Sequence, residues 1–493
     1  MDPRSPVIVG VGQSLRRLDN ADGAAEPVAM MAEVLRLAGT DSATGDALLR
    51  RADSVRIVEL LSWPYPNPAL LVADLVGASP RQTVKTTTGG NSPQLLVNDT
   101  AAAIQRGQLD VALIAGAEAV YTRLLTRKQK VHLDWTTQDP STTPAPELVG
   151  LEKPGTNDVE MAASLVMPTQ VYPIFENAIR HANGETVEEH QRRVSELWAG
   201  FSRVASTNRY AWSPEAKTAE EIRTVSPDNR MIGFPYPKLM NANIQTDQAA
   251  GLIMCSVQAA RDAGVPEDRW VFVHSGADAH DHYWVSERDN LHSSPAIAAC
   301  GRAALGLAGI GADDLAHVDL YSCFPSAVQV GAAALGLGLD RQLTVTGGLG
   351  FAGGPGNNYV THSIAAMADR LRGDVGSYGL VTALGWYITK HAAGIYSTTP
   401  PADGFRSENP QAEVDASPRR GYVGDHDGAV TVESCTVMHE RDGSPANGIV
   451  ACLTPDGRRA WGTTTEPGLL KALMDDGTIG SPGRLSAGAF ELT

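Results

Sequence analysis

The 493-residue chain carries 40 Lys and Arg against 56 Asp and Glu, a net charge of −16, which excludes a protein that grips a phosphate backbone through excess basic charge. Hydrophobic residues make up 43% and charged residues 19%, so disorder is excluded and two or three globular units are expected. The five cysteines, Cys255, Cys300, Cys323, Cys435 and Cys452, are odd in number and widely spaced, which argues for reduced thiols over a disulfide framework or a CxxC metal site.

The opening "MDPRSPVIVGVGQ" has no basic stretch leading into an apolar run, and no run of about eighteen apolar residues occurs anywhere, so a cytoplasmic protein without a membrane span is expected. Residues 6–13 read as a strand ended by glycine, and residues 26–37 repeat apolar side chains at helical spacing through Val28, Met31, Ala32 and Leu35. Residues 54–63 read as a second strand closed by "PYPNP", followed by a helix over 69–76. In "VKTTTGGNSPQLL" a strand breaks at a glycine turn and re-enters as a helix over 93–105, after which "DVALIAGAE" is a buried strand. Strand and helix alternate, as in an α/β layered fold.

Residues 121–242 change character, with the loop-like "TTQDPSTTPAPELVG" and the irregular "SPDNRMIGFPYP" on either side of an amphipathic helix over 186–205, and read as an insertion domain. A second α/β unit follows, whose end repeats the first: "AGGPGNN", a helix over 359–371, "RLRG" and "YGLVTALG" match "TGG", a helix, "IQRG" and "DVALIAG". The units are thus a first half over 1–120, completed by about 243–275, and a second half over 276–396. Residues 397–428, rich in Pro, Gly, Asp and Ser, read as a linker. Residues 429–493 offer several strands and one short helix, "EPGLLKALM", as in a small OB-like β-barrel.

The duplicated halves, the insertion after "IAGAEAV", and the stretches "NANIQTDQAAGLIM", "LYSCFPSA" and "GGLGFAGGPGNN" resemble the thiolase superfamily, its sterol-carrier-type and type 1 thiolase-like branches most. The resemblance covers residues 6–396. It implies a five-layer αβαβα fold, coenzyme A or an acyl-CoA as ligand, a place among acetyl-CoA acetyltransferases of lipid metabolism, and a homodimer, with a monomer the alternative where the added tail covers the dimer surface.

Thiolases use a nucleophilic Cys at the first glycine turn, an activating His in a Gly-His-Pro loop and an acid/base Cys in a Cys-x-Gly loop. The corresponding positions here are Gly90, Gly354 and Leu384, none of which can do that chemistry. The resemblance places Gly89, Gly90, Asn243, Gly353 and Gly354 along the coenzyme site, with the glycines opening space and the helix after the turn directing N–H groups into it.

Catalytic candidates are then Tyr321, Ser92 and His391. Tyr321 and Ser322 stand where the family has Asn-Glu or His-Asp; a tyrosine there donates to a carbonyl oxygen or works as acid/base, or is simply a buried ring, while Cys323 fills a small apolar slot. Ser92 is a nucleophile only with a base beside it, and otherwise a helix N-cap with Pro93 at the first helical position. His391, with Lys390, contacts a ligand phosphate or carbonyl, or is structural. His280 and His282, near Asp278 and Asp281, have ligand spacing, but "GADAHDHYW" reads as an irregular linker and no metal is expected. The GxxxxG in "GGLGFAGGPG" lacks the following Lys-Ser/Thr of a nucleotide loop.

Three functions stay open: a coenzyme A or acyl-CoA binder without thiolase activity, a retro-aldolase or other carbon–carbon lyase on a lipid or sterol-side-chain acyl-CoA using Tyr321, and a non-catalytic scaffold.

Overall fold

Residues 111–119 show no polar alternation because their strand is buried on both faces between two neighbours. The computed structural model describes residues 1–21 and 23–493. Its strands are β1 (Pro6–Leu15), β2 (Ser54–Ile57), β3 (Gln82–Thr86), β4 (Val111–Ala119), β5 (Glu147–Val149), β6 (Met231–Gly233), β7 (Tyr236–Pro237), β8 (Asp247–Ser256), β9 (Val271–His280) and β10 (Leu315–Asp319). They continue with β11 (Tyr378–Gly385), β12 (Lys390–Ser397), β13 (Arg406–Glu408), β14 (Gly428–His439), β15 (Pro445–Leu453), β16 (Arg459–Thr464), β17 (Pro482–Ser486) and β18 (Ala489–Leu492).

The large sheet runs β10-β11-β12-β9-β1-β8-β4-β2-β3-β5, with β13 on β9. Its pairing pattern shows the duplication directly. In the first half β2 and β4 are parallel, β4 and β8 antiparallel, β8 and β1 antiparallel. In the second half β10 and β11 are parallel, β11 and β12 antiparallel, β12 and β9 antiparallel. The halves join where β1 meets β9, Val7 opposite Phe272 and Ile8 opposite Val271.

The two equivalent helices Ser92–Gln105 and Tyr359–Gly373 are buried nearly throughout and touch strands of both halves, forming the central layer. Helix Pro27–Asp41 covers the first half from outside and helix Pro295–Ala308 the second. Helix, sheet, helix, sheet, helix gives the five layers of the thiolase fold.

Three sequence expectations are corrected. The stretch read as an irregular linker before the second half is largely strand, since β9 continues through "GADAH"; small residues there admit the central helix, for a Cβ on Gly276 would strike Asn98. The segment expected to be a linker is packed instead: β13 lies on β9, and Val414 of helix Gln411–Asp415 is buried in the main core. "SPDNRMIGFPYP" is not irregular, since it supplies β6 and β7 to the tail sheet.

In the tail, β14, β15, β16, β18 and β17 close on one another as a five-stranded barrel around Val432, Val450, Leu485 and Phe490. The insertion domain shares this core through Phe234, whose N–H donates to Val437 O at 2.8 Å. Arg459, fully buried, pairs with both oxygens of Glu433 at 2.6 and 2.5 Å and donates to the carbonyls of Val285, Ser286 and Arg288 at 2.9, 3.1 and 2.6 Å. These buried bonds fasten the barrel to the body, because removing one partner leaves unpaired polar groups in a dry interface.

Candidate functional site

Four segments meet here: the turn after β3, the loop after β10, the end of β11 and the loop that follows Gly354. The first is the turn 87–91. Its Gly89 has φ +150°, and its N–H donates to Asn357 Oδ1 at 2.9 Å, which ties it to the loop after Gly354. That N–H is therefore spent inside the protein, and Ser92 N–H is likewise spent on Gly89 O at 3.0 Å. The turn does not aim these two donors at open space, contrary to the sequence reading.

The glycines do not leave a vacancy either. A Cβ on Gly90 would lie 2.5 Å from Leu384 O and 2.6 Å from Tyr321 Cζ, with the phenol oxygen closer still. Tyr321 thus fills the space beside Gly90, the position that the resemblance matches to the thiolase nucleophile. A Cβ on Gly89 would be 3.0 Å from Lys390 Cε and Nζ. Ser92 is not an N-cap: it opens the helix after Asn91, and its Oγ donates to Thr87 O at 2.8 Å with the side chain buried.

Tyr321 is held by its own N–H, which donates to Thr382 Oγ1 at 3.0 Å, and by Tyr359, whose ring stands edge-on at 5.8 Å. Burial, with Cys323 and Tyr359 adding, holds its phenol well above the usual tyrosine range, so it stays protonated near neutral pH and can donate. Burial also pushes the Cys323 thiol up to about 12.

His391 comes to the same place from β12, and a cavity of ≈ 20 Å³, room for one water, is lined by Tyr321, Thr382, Leu384 and His391 among others. Nε2 of His391 lies 3.1 Å from Asp281 Oδ2 and 3.1 Å from Ile388 O. Asp281 also accepts from Ser294 Oγ at 2.5 Å and Ala296 N at 3.1 Å. Burial raises the Asp281 carboxyl, yet His391, Arg288 and Ser294 outweigh it and hold the group below its usual range. An Nε2–H fixed by a carboxylate leaves Nδ1 as the basic nitrogen, the arrangement of an oriented general base. Asp281, weighed in the sequence as part of an HxH metal group, is instead the partner of His391, while His282 Nε2 sits 3.1 Å from Ser417 Oγ.

Gly354 meets Asn243 through backbone, its N–H donating to Asn243 O at 2.8 Å, whereas a Cβ on Gly353 would strike the side chain of Gln248. Asn243 Oδ1 accepts from Gln245 N at 3.1 Å, so its side chain serves its own loop.

Two further polar groups belong here: Asn91, which the sequence did not single out, and Lys390, which it named beside His391. Asn91 Oδ1 is buried beside Gly89 and Gly385 without a hydrogen-bond partner among the described residues. Lys390, 4% exposed, donates to Thr88 O at 2.5 Å and Leu151 O at 3.3 Å, and burial pulls its ammonium down to about 8. Outside the turn lies a cavity of ≈ 460 Å³ lined by Lys85, Thr87, Thr88, Leu151, Lys153 and Trp386. Trp386 and Ile388 hold φ of +57° and +52°, a conformation that a β-branched residue adopts only under constraint.

The chain is similar over its whole length to the monomeric SCP2-thiolase-like protein type 1 of Mycobacterium smegmatis, at 33% identity and TM-score 0.85, covering 100% of this chain and 99% of that one. It belongs to the SCP2-thiolase-like proteins of type 1. Residues 410–488 match the model of the thiolase-like protein type 1 additional C-terminal domain. Two more distant structures share the thiolase fold of this type 1 protein. One is the Ltp2-ChsH2(DUF35) aldolase, at 16% identity and TM-score 0.56, and the other the dimeric peroxisomal thiolase of Saccharomyces cerevisiae, at 14% and 0.57; each covers 80% of this chain and 98% of its own. No curated protein matches the chain. No helix among the described residues is long and apolar enough to cross a membrane.

Proposed function

We propose that this type 1 thiolase-like protein binds coenzyme A or an acyl-CoA and does not carry out cysteine-dependent acyl transfer. The observation that carries the reading is the Tyr321 phenol packed against Gly90, the position matched to the thiolase nucleophile. A phenol kept protonated offers a hydrogen bond to a thioester oxygen and no attacking anion. The other two reacting positions of thiolases fall at Gly354 and Leu384, which move no proton. The ≈ 460 Å³ cavity over the turn, whose wall balances Lys85, paired with Glu59 at 2.9 Å, and Lys153 against Glu152, supports a polar chain as ligand by its volume and its threonines.

Calorimetry with coenzyme A and acetyl-CoA tests the binding, with dissociation constants of about 10–100 μM expected. Leu151→Trp, at a half-exposed wall position, fills that cavity and should weaken binding about tenfold. Acetoacetyl-CoA should not be thiolysed; turnover near the common enzyme rate of about 10 s⁻¹ would sink the reading.

A second reading, retro-aldol cleavage of a β-hydroxyacyl-CoA, is favoured by one observation: Tyr321 and the Asp281-oriented His391 line a single cavity. His391 Nδ1 would take the hydroxyl proton and Tyr321 would donate to the thioester oxygen. Tyr321→Phe and His391→Gln would each then lower cleavage about 100-fold. Absence of an aldehyde or ketone product from the parent protein removes this reading.

A further inference from the structure

A third cavity, of ≈ 720 Å³, opens between helix Val187–Ala205 and the segment 339–344. None of its lining residues belongs to the loops around Gly90. On a chain with a net charge of −16, its walls nevertheless bring together Arg193, Arg203, Arg341 and Arg370, with Glu196 and Asp340 the acidic residues among them.

The arginines differ in how far they are committed. Arg193 grips Glu185 through two bonds of 2.6 and 2.8 Å. Arg341 gives one N–H to Leu315 O at 2.6 Å and has no carboxylate within ion-pair distance among the described residues. Arg203 and Arg370 are exposed, and their side chains make no hydrogen bond or ion pair with another described residue. Arg193 is thus compensated by Glu185, whereas Arg203, Arg341 and Arg370 form no ion pair with a described residue, Glu196 and Asp340 included. Beneath them the floor is apolar, with Leu197, Phe201, Val204 and Leu343.

Uncompensated planar forks above an apolar floor match a ligand that is anionic at one end and apolar at the other. Three unpaired forks lining one cavity favour a phosphate dianion, which accepts from more than one guanidinium at once, over a single carboxylate. The volume falls within the range of small-molecule sites, about 300–1,000 Å³. We propose that this cavity is a binding site for a small phosphate monoester carrying an apolar group. The site does not depend on the coenzyme A reading and stands or falls apart from it.

Calorimetry on the full chain at low ionic strength, with phenyl phosphate as the probe, tests the proposal. A dissociation constant of about 0.1–1 mM is expected, with phenol and inorganic phosphate each binding at least about tenfold more weakly. The double variant Arg203→Gln/Arg370→Gln should lose at least about tenfold in affinity, and its melting midpoint should stay put because neither side chain has a partner to lose. Gly200→Met changes the volume without changing the charge. Its Cβ would have Arg203 Nη2 at 3.7 Å as nearest neighbour, an ordinary contact, and the longer side chain should also weaken binding. Arg50→Gln, on an exposed arginine outside the cavity, should leave it unchanged. The proposal is overturned if phenyl phosphate does not bind, if inorganic phosphate binds equally well, or if binding persists in both cavity variants.

Discussion

Replacing Gly90 by alanine adds one carbon to occupied space. Carbon pairs sit comfortably at about 3.5–4.0 Å, whereas the new Cβ would lie 2.6 Å from Tyr321 Cζ and 2.5 Å from Leu384 O, so something retreats by about 1 Å. Leu384 lies in β11, paired along its length with β12, so the Tyr321 ring takes most of the displacement. Overpacking of this size costs about 1–3 kcal/mol. An unfolding entropy near 2 cal/mol/K per residue gives about 1 kcal/mol/K for 493 residues, so the melting midpoint should fall by about 1–3 °C. Tyr321→Phe removes the closest atom, and the cost of Gly90→Ala in that background should drop by about 1 kcal/mol. Scanning calorimetry on the parent, both single variants and the double variant reads the cycle. Gly90→Cys should be destabilised as well, and should not gain thiolysis. Equal midpoints for parent and Gly90→Ala, or strictly additive effects, would refute the claim that the phenol fills the space beside Gly90.

Arg459→Met strands Glu433 and three carbonyls, which should cost about 3–5 kcal/mol and expose 398–428 to limited proteolysis; an unchanged digestion pattern would show that the barrel is not held by this residue. Lys390 ionises near 8 when folded and 10.5 when unfolded, so between those values the unfolded chain binds more protons and stability from this group rises with pH. Lys390→Met should flatten that part of the stability curve, and an unchanged slope argues against a buried ammonium. All five thiols are buried, and burial pushes Cys323 and Cys435 up to about 12, so a disulfide reagent should label none in the native protein and five after unfolding in guanidinium.

The duplicated layers were legible because their signal is local. Helices Ser92–Gln105 and Tyr359–Gly373 and strand β4 are buried on several sides and therefore read as apolar runs bounded by glycine and basic stops. The three-residue strands β5 and β13 left no pattern, since only backbone pairing with a neighbour makes them strands. At the site, the resemblance matches the reacting positions of thiolases to Gly90, Gly354 and Leu384 by motif alone. That Tyr321 occupies the space beside Gly90 could not be read that way, for it follows from how two distant loops pack. The His391–Asp281 pair joins residues 110 apart, and its Asp lay in a stretch whose polar spacing suggested metal ligands. Lys390 stood beside His391 in the sequence, but only the fold shows its ammonium buried against carbonyls of Thr88 and Leu151.

The strand β5 has a consequence for assembly. It lies parallel along the outer edge of β3, Val84 opposite Glu147 and Thr86 opposite Val149, so the chain itself occupies the edge that another strand would extend. A second copy approaching that edge competes with a tethered segment whose effective concentration is of millimolar order, far above micromolar protein. Docking there is therefore an exchange in which one strand must leave before another arrives, and deleting or unpairing 147–149 is the change that would make the edge available.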